Sequence, residues 1–184
     1  MRVDNEMRPS HAADMKRFDE LLAPHMDAAY NLARWLTANE SAAHDVVQES
    51  ALKAFKFLHR FEGGNAKAWL LTIVRNESYN WLKASAGHRW IAIGEGISED
   101  DMALSHALTP EIDAIRTEDA ALLQQALKAL PPVFREVIVL KALEDMPYKD
   151  IAKVTDVPLG TVMSRLARAR AMLKTEFMKL YRHE

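Results

Sequence analysis

Apolar residues recur at helical spacing through most of the chain. Between positions 14 and 36, Phe18, Leu21, Leu22, Ala29, Leu32, Ala33 and Leu36 fall three and four apart, which predicts one amphipathic helical stretch. Thr37-Ala38-Asn39-Glu40 interrupts the pattern, and Ser41 is placed to cap a second helix. That helix is expected to run to about Leu58, with Val47, Ala51, Ala54, Phe55 and Leu58 on its stripe. Glu62-Gly63-Gly64-Asn65 reads as a turn, and Asn65 can cap a third helix carrying Trp69, Leu70, Ile73, Val74, Trp81 and Leu82. The period fades between Gly94 and Thr109. Thr109-Pro110-Glu111 then signals a new start: a cap, a proline at the first helical position and an acid near the positive helix end. Pro131-Pro132 stops that helix, and further helices are expected over 133–143, 148–154 and 160–181. Glycine (6) and proline (7) are too scarce for a chain of tight β-turns, so the expected fold class is all-α.

Charge divides the 184 residues where the period fades. Residues 1–88 are balanced, 89–119 hold eight acids against Arg89 and Arg116, and 120–184 carry a basic excess. The formal net charge of −2 excludes a uniformly basic nucleic-acid binder but leaves room for a local basic face. The expected organisation is a tail (1–13), a helical domain (14–90), a flexible acidic linker (91–109) and a second helical domain (110–184). The absence of cysteine removes disulfides, thiolate metal sites and cysteine nucleophiles. None of the seven histidines stands four residues from another, and no nucleophile–base pattern or phosphate loop occurs. No metal, cofactor or enzymatic activity is therefore expected. No stretch approaches the ~18 apolar residues of a membrane span. The polar N-terminus lacks a signal-peptide core, so a cytoplasmic protein without membrane insertion is expected.

The sharpest local pattern is 146–170. A short helix, the turn Thr155-Asp156-Val157-Pro158 and a second helix opening at Gly160-Thr161 place Ile151, Ala152, Val157, Val162 and Leu166 to pack the two helices together. This is helix-turn-helix design. The second helix carries Ser164, Arg165, Arg168 and Arg170, and Arg165 and Arg168 share one face. Such a face can reach phosphates and base edges in a major groove. Elsewhere, Trp69, Tyr79, Trp81 and Trp90 lie among Lys67, Arg75, Lys83 and Arg89, a mixture suited to single-stranded DNA, where bases stack and phosphates pair. Trp69, Ile73 and Trp81 equally fit a core stripe.

Two segments together resemble one family. Leu130-Pro131-Pro132, Arg135-Glu136-Val137, Leu143 to Tyr148, Ile151-Ala152, Val157 to Val162, Ser164-Arg165-Leu166 and Arg168-Ala169-Arg170 look like domain 4 of bacterial sigma factors. The likeness is strongest to the small extracytoplasmic-function (ECF) group of the sigma-70 family. Asp45-Val46-Val47-Gln48-Glu49, followed by Phe61, Gly63, Ala68-Trp69-Leu70, Ile73 and Arg75-Asn76, resembles domain 2 and its promoter-melting segment.

The resemblance implies core RNA polymerase as a partner, docked on Asp45, Val46, Gln48 and Glu49. It implies promoter DNA as a second partner. The melted −10 element would be held by Gly63, Gly64, Asn65, Lys67, Asn76, Tyr79, Asn80 and Lys83. The duplex −35 element would be read by Leu159, Gly160, Thr161, Met163, Ser164, Arg165 and Arg168. An anti-sigma factor is a further implied partner. Met163 stands where relatives often carry Lys or Arg, so one groove contact differs. The third helix ends Lys83 to Arg89 without the relatives' run of arginines. The rival reading is a stand-alone helix-turn-helix regulator binding duplex DNA, against which the aromatic segment and the Asp-Val-Val-Gln-Glu helix speak.

Overall fold

A computed structural model describes residues 11–86 and 117–182, and the described residues form helices joined by short turns, without strands. The expected linker, the signal at Thr109-Pro110-Glu111, and Arg89 and Trp90 lie outside them.

The first amphipathic stretch is broken in two. Helices α1 (His11–Leu21) and α2 (Met26–Thr37) are separated by a 3-10 turn over Ala23–His25. Pro24 is the cause: it offers no N–H to continue the α-helical ladder. α2 ends at Ala38 in the left-handed region (φ 54°), where its N–H donates to the Arg34 carbonyl. The cap of α3 (Glu40–Phe57) is Asn39 rather than Ser41: Asn39 Oδ1 accepts from the Ala42 N–H at 2.9 Å. A 3-10 turn over Leu58–Arg60 leads to Gly63 (φ 111°) and Gly64 (φ 97°). A side chain at either glycine would meet open space, so backbone conformation alone demands glycine there. Asn65 caps α4 (Ala66–Ala86) as expected, its Oδ1 accepting from the Ala68 N–H at 3.0 Å.

Helices α2, α3 and α4 pack on one another around Leu32, Leu36, Ala43, Ala54, Leu70, Leu71 and Val74, all buried. Each large member stabilises this bundle by roughly 1.5–3 kcal/mol through burial. α1 lies against α3, with Phe18 edge-on to Phe55 (5.9 Å) and Arg17 Nη2 donating to the Phe61 carbonyl at 2.7 Å.

The described residues resume with α5 (Thr117–Ala129) and, after Pro131, α6 (Pro132–Ile138). The helix expected over 133–143 does not stay regular. Val139–Leu143 widen into a π-helical turn, with Glu144 N–H donating to the Val139 carbonyl and Met146 N–H to the Leu140 carbonyl. α7 (Tyr148–Thr155), the left-handed Asp156 (φ 53°) and α8 (Leu159–Tyr181) form the helix-turn-helix. Ile151, Val154, Val162, Leu166 and Ala169 are buried between its helices and α5 and α6, as their spacing requires.

The capping assignment is testable by urea unfolding. Asn39→Ala should cost about 1 kcal/mol of stability, whereas Ser41→Ala, at an exposed position without a cap bond, should stay within about 0.5 kcal/mol.

Candidate nucleic-acid interface

Helical geometry sorts the Asp-Val-Val-Gln-Glu segment. Asp45, Gln48 and Glu49 are exposed on one side of α3. Val46 does not belong with them: it is 5% exposed and packs inward with Ala42, Ala43, Ser50 and Ala54, the opposite side of the helix. Leu52, which the apolar stripe passes over, is 67% exposed one turn beyond Gln48 and Glu49. It is a large exposed apolar side chain one turn from an acid and an amide. The available signal was its position off the stripe, four after Gln48. Lys53 ties this surface to α4 by pairing with Glu49 (3.3 Å) and Glu77 (2.7 Å).

The turn at Gly63 and Gly64 opens a cleft of about 320 Å³ lined by Arg60, Phe61, Trp69 and Thr72, with Lys153 of α7 on its rim. Trp69 is half-buried with its ring 5.2 Å from Phe61, so it serves the core and the cleft at once. Arg60 lies over the Phe57 ring (4.9 Å). Neither Arg60 nor Lys153 stood out in the sequence, because each is one lysine or arginine among many until the chain folds.

Asn65 and Lys67 face the second domain. Asn65 Nδ2 donates to Asp150 Oδ2 at 2.8 Å. Lys67 Nζ reaches Glu144 Oε2 and donates to the Glu144 carbonyl, both at 2.9 Å, and Asn31 Nδ2 donates to Glu144 Oε1 at 3.2 Å. Arg75 makes a two-pronged bond to Glu136 of α6, Nε to Oε2 at 2.7 Å and Nη2 to Oε1 at 3.3 Å. Tyr79 was expected to meet DNA. Its ring instead lies against the Arg75 guanidinium (4.7 Å), and its phenol is enclosed. Burial, and then the Glu136 charge, hold that phenol well above the ordinary tyrosine range. Asn76, Asn80 and Lys83 are exposed further along α4, as are Gly63, Gly64 and Asn65, so of the expected −10 set Lys67 and Tyr79 alone are partly covered.

At the start of α8, Leu159, Gly160 and Met163 are exposed, Met163 at 52%, and Thr161 is half-buried. Ser164 spends its hydroxyl on the Thr161 carbonyl at 3.1 Å. Arg165 turns inward, Nη1 lying 3.7 Å from Glu136 Oε1. Arg168, half-buried, is one turn further on.

Glu136 is thus wholly buried between Arg75 and Arg165. Burial pushes its carboxyl up from the ordinary range, against the pull of both guanidinium groups. Its neighbour Arg135 is 5% exposed and donates to the carbonyls of Trp35 (2.6 Å), Lys128 (2.7 Å) and Leu130 (2.7 Å). Burial lowers the Arg135 pKa. Sequence reasoning missed both residues as organisers, since a charged pair inside an apolar helix has no partner legible in the sequence.

Comparison with known proteins completes the assignment. Sigma-70 region 2 matches residues 21–87, and Sigma-70 region 4 matches 120–173. The ECF RNA polymerase sigma-E factor of Haemophilus influenzae is 33% identical over 176 residues, covering 91% of this chain and 90% of that protein. The ECF RNA polymerase sigma factor SigE of Mycolicibacterium smegmatis is 32% identical over 167 residues, which cover 91% of this chain and 64% of that protein's length. Among solved structures, the sigma factor RpoE of Bartonella quintana, crystallised with the anti-sigma factor NepR, superposes with a TM-score of 0.66. It is 30% identical and covers 89% of this chain and 98% of that one. The described residues form two all-helical units, the second built around a helix-turn-helix. The chain belongs to the ECF group of the sigma-70 family. A stand-alone regulator does not account for both regions matching in the family's order.

Arg135→Met should expose how much rests on its three carbonyl bonds. The expected loss is about 3 kcal/mol in urea unfolding, because the substitution fills the space but leaves three inward-facing carbonyl groups without their donor.

Proposed function

We propose that this chain binds core RNA polymerase, carries it to promoters bearing −10 and −35 elements, and helps open the −10 region. It breaks and makes no covalent bond itself and works in the cytoplasm, where polymerase and chromosome are. The observation that carries this reading is the pair of family regions in order, each with its own exposed face: acids around Leu52 on α3, and Leu159, Gly160 and Met163 at the start of α8. Asp45, Gln48 and Glu49 give α3 the polarity to meet a basic polymerase surface, and Leu52 supplies apolar area at its centre. Gly63, Gly64, Asn65 and Lys67, with Asn76, Asn80 and Lys83, hold the melted strand, and the cleft beside Trp69 accepts an unstacked base. The N-terminal end of α8 enters the −35 major groove, where Met163 makes apolar contact with a thymine methyl group. Arg168 supplies charge to the same groove. An anti-sigma factor regulates the chain, a reading supported by the RpoE–NepR complex of the Bartonella structure.

Docking is tested by measuring affinity for core polymerase. Leu52→Ala, and separately Asp45→Ala with Gln48→Ala, should each weaken it about tenfold. Fold stability should change by no more than about 0.5 kcal/mol, since all three side chains are exposed. Unchanged polymerase binding removes α3 as the docking face.

Promoter reading is tested by transcription from a randomised −35 library. Met163→Arg should change the selected sequence by introducing a base-edge donor worth about 1–3 kcal/mol of discrimination. Arg165→Ala should instead act mainly through stability, leaving buried Glu136 with one cation in place of two. If Met163→Arg selects the parent's sequences at the parent's strength, α8 does not read the promoter.

A further inference from the structure

Helices α2 and α5, with the start of α3 at the edge, line a second cleft of about 310 Å³. It shares no residue with the α3 acids, the Gly63–Gly64 turn or the start of α8. Its lining includes Asn31, Arg34, Trp35, Glu40, Gln124 and Lys128. The two walls are fixed from beneath by one side chain: Arg135 Nη1 donates to the Trp35 carbonyl (2.6 Å) and Nη2 to the Lys128 carbonyl (2.7 Å). A single buried guanidinium thus sets the spacing of α2 and α5 at this point.

The charges of this cleft break a pattern. Elsewhere between the two halves of the chain a cation meets a carboxylate, as Lys67 meets Glu144 and Arg75 meets Glu136. Here Arg34 of α2 and Lys128 of α5 line the same cleft, and among the described residues neither side chain has an acceptor. Like charges set together at a contact weaken it, and an anion between them turns repulsion into attraction. Glu40 is the one acid of the lining and is also unpaired. Arg34, Glu40, Gln124 and Lys128 are all exposed, and Trp35 is half-buried.

We propose that this cleft binds a nucleoside diphosphate, with the phosphates between Arg34 and Lys128, the ribose hydroxyls on Glu40 and the base against Trp35. Each group suits its part. A guanidinium fork matches phosphate oxygens, and a lysine adds a point charge beside it. A carboxylate accepts from ribose hydroxyls. An indole face stacks on a base. The Gln124 amide offers both a donor and an acceptor to the base edge. A bare phosphate would use only the cations and leave Trp35 and Glu40 idle. The volume lies at the small end of the range for ligand clefts, as a molecule of this size requires.

The test uses the full chain and titration calorimetry. The probes are ADP and GDP, with inorganic pyrophosphate and the two nucleosides as comparisons. At least one diphosphate should bind once per chain, more tightly than pyrophosphate or its own nucleoside, and should raise the melting temperature. Arg34→Gln with Lys128→Gln should weaken that binding about tenfold or more and remove the rise in melting temperature. The free double variant should melt no lower than the parent, because both side chains are exposed and their mutual repulsion is gone. Lys16→Gln with Lys149→Gln removes the same charge at exposed positions outside the cleft and should leave the affinity unchanged. Trp35→Leu should shrink the advantage of the nucleotide over pyrophosphate, with the melting temperature of the free variant measured alongside. The proposal is overturned if neither diphosphate binds saturably. It is overturned equally if both charge pairs cost the same affinity, which means unspecific attraction, or if pyrophosphate binds as tightly as ADP and GDP, which means that no base is held.

Discussion

Glu136 is a carboxylate with no access to water, lying where α4, α6 and α8 meet, and it takes one cation from each neighbouring helix. Arg75 reaches it from the first domain and Arg165 from the helix-turn-helix. An ionised group in that setting is tolerable only when it is paired on more than one side. The two arginines are therefore committed to structure, and their commitment dictates where other side chains can go. Arg165 faces inward, which leaves Met163 and Leu159 as the prominent exposed apolar groups at the start of α8. Arg75 leans across Tyr79, which encloses the phenol. The adjacent Arg135 works on the backbone in the same way, binding the end of α5 and the last turn of α2 to the start of α6.

Around this anchor the domain contact is polar at its edge and apolar beneath. Leu22 to Val74 of the first domain and Leu127 to Ala169 of the second belong to one continuous buried cluster. At the edge, hydrogen-bonded pairs choose the register, which is what charged groups contribute better than they contribute net stability. The same charges that suit DNA are the ones available for this purpose. A surface rich in lysine, arginine and amide donors binds whichever acceptor is nearest, phosphate or carboxylate. Leu52 and the acids beside it lie outside this contact and project from a different helix, α3.

Helix content and the helix-turn-helix were legible in the sequence because both depend on local spacing: apolar residues three and four apart, Asn65 three before the Ala68 amide, Pro158 ahead of Leu159. Exceptions were local too, but decided by competing local chemistry. Pro24 outweighed an unbroken apolar stripe, and Asn39 captured a cap that Ser41 could equally have supplied. The site was half legible. The exposed acids of α3 and the open end of α8 follow from helix periodicity, whereas Val46 was misplaced because adjacency in sequence is not adjacency on a helix surface.

By itself, the sequence determined which segments are helices, the family pattern they carry, and the types of charge and aromatic group available for DNA and polymerase. The tertiary structure alone decided which of those charges face solvent and which face each other. Glu136 needed Arg75 from 61 residues earlier, and Lys67 met Glu144 across 77. The reason is physical. Helical periodicity is set by interactions over three or four residues, but the partner of a charge depends on which helices approach, and that is settled only when apolar faces from both halves of the chain pack together.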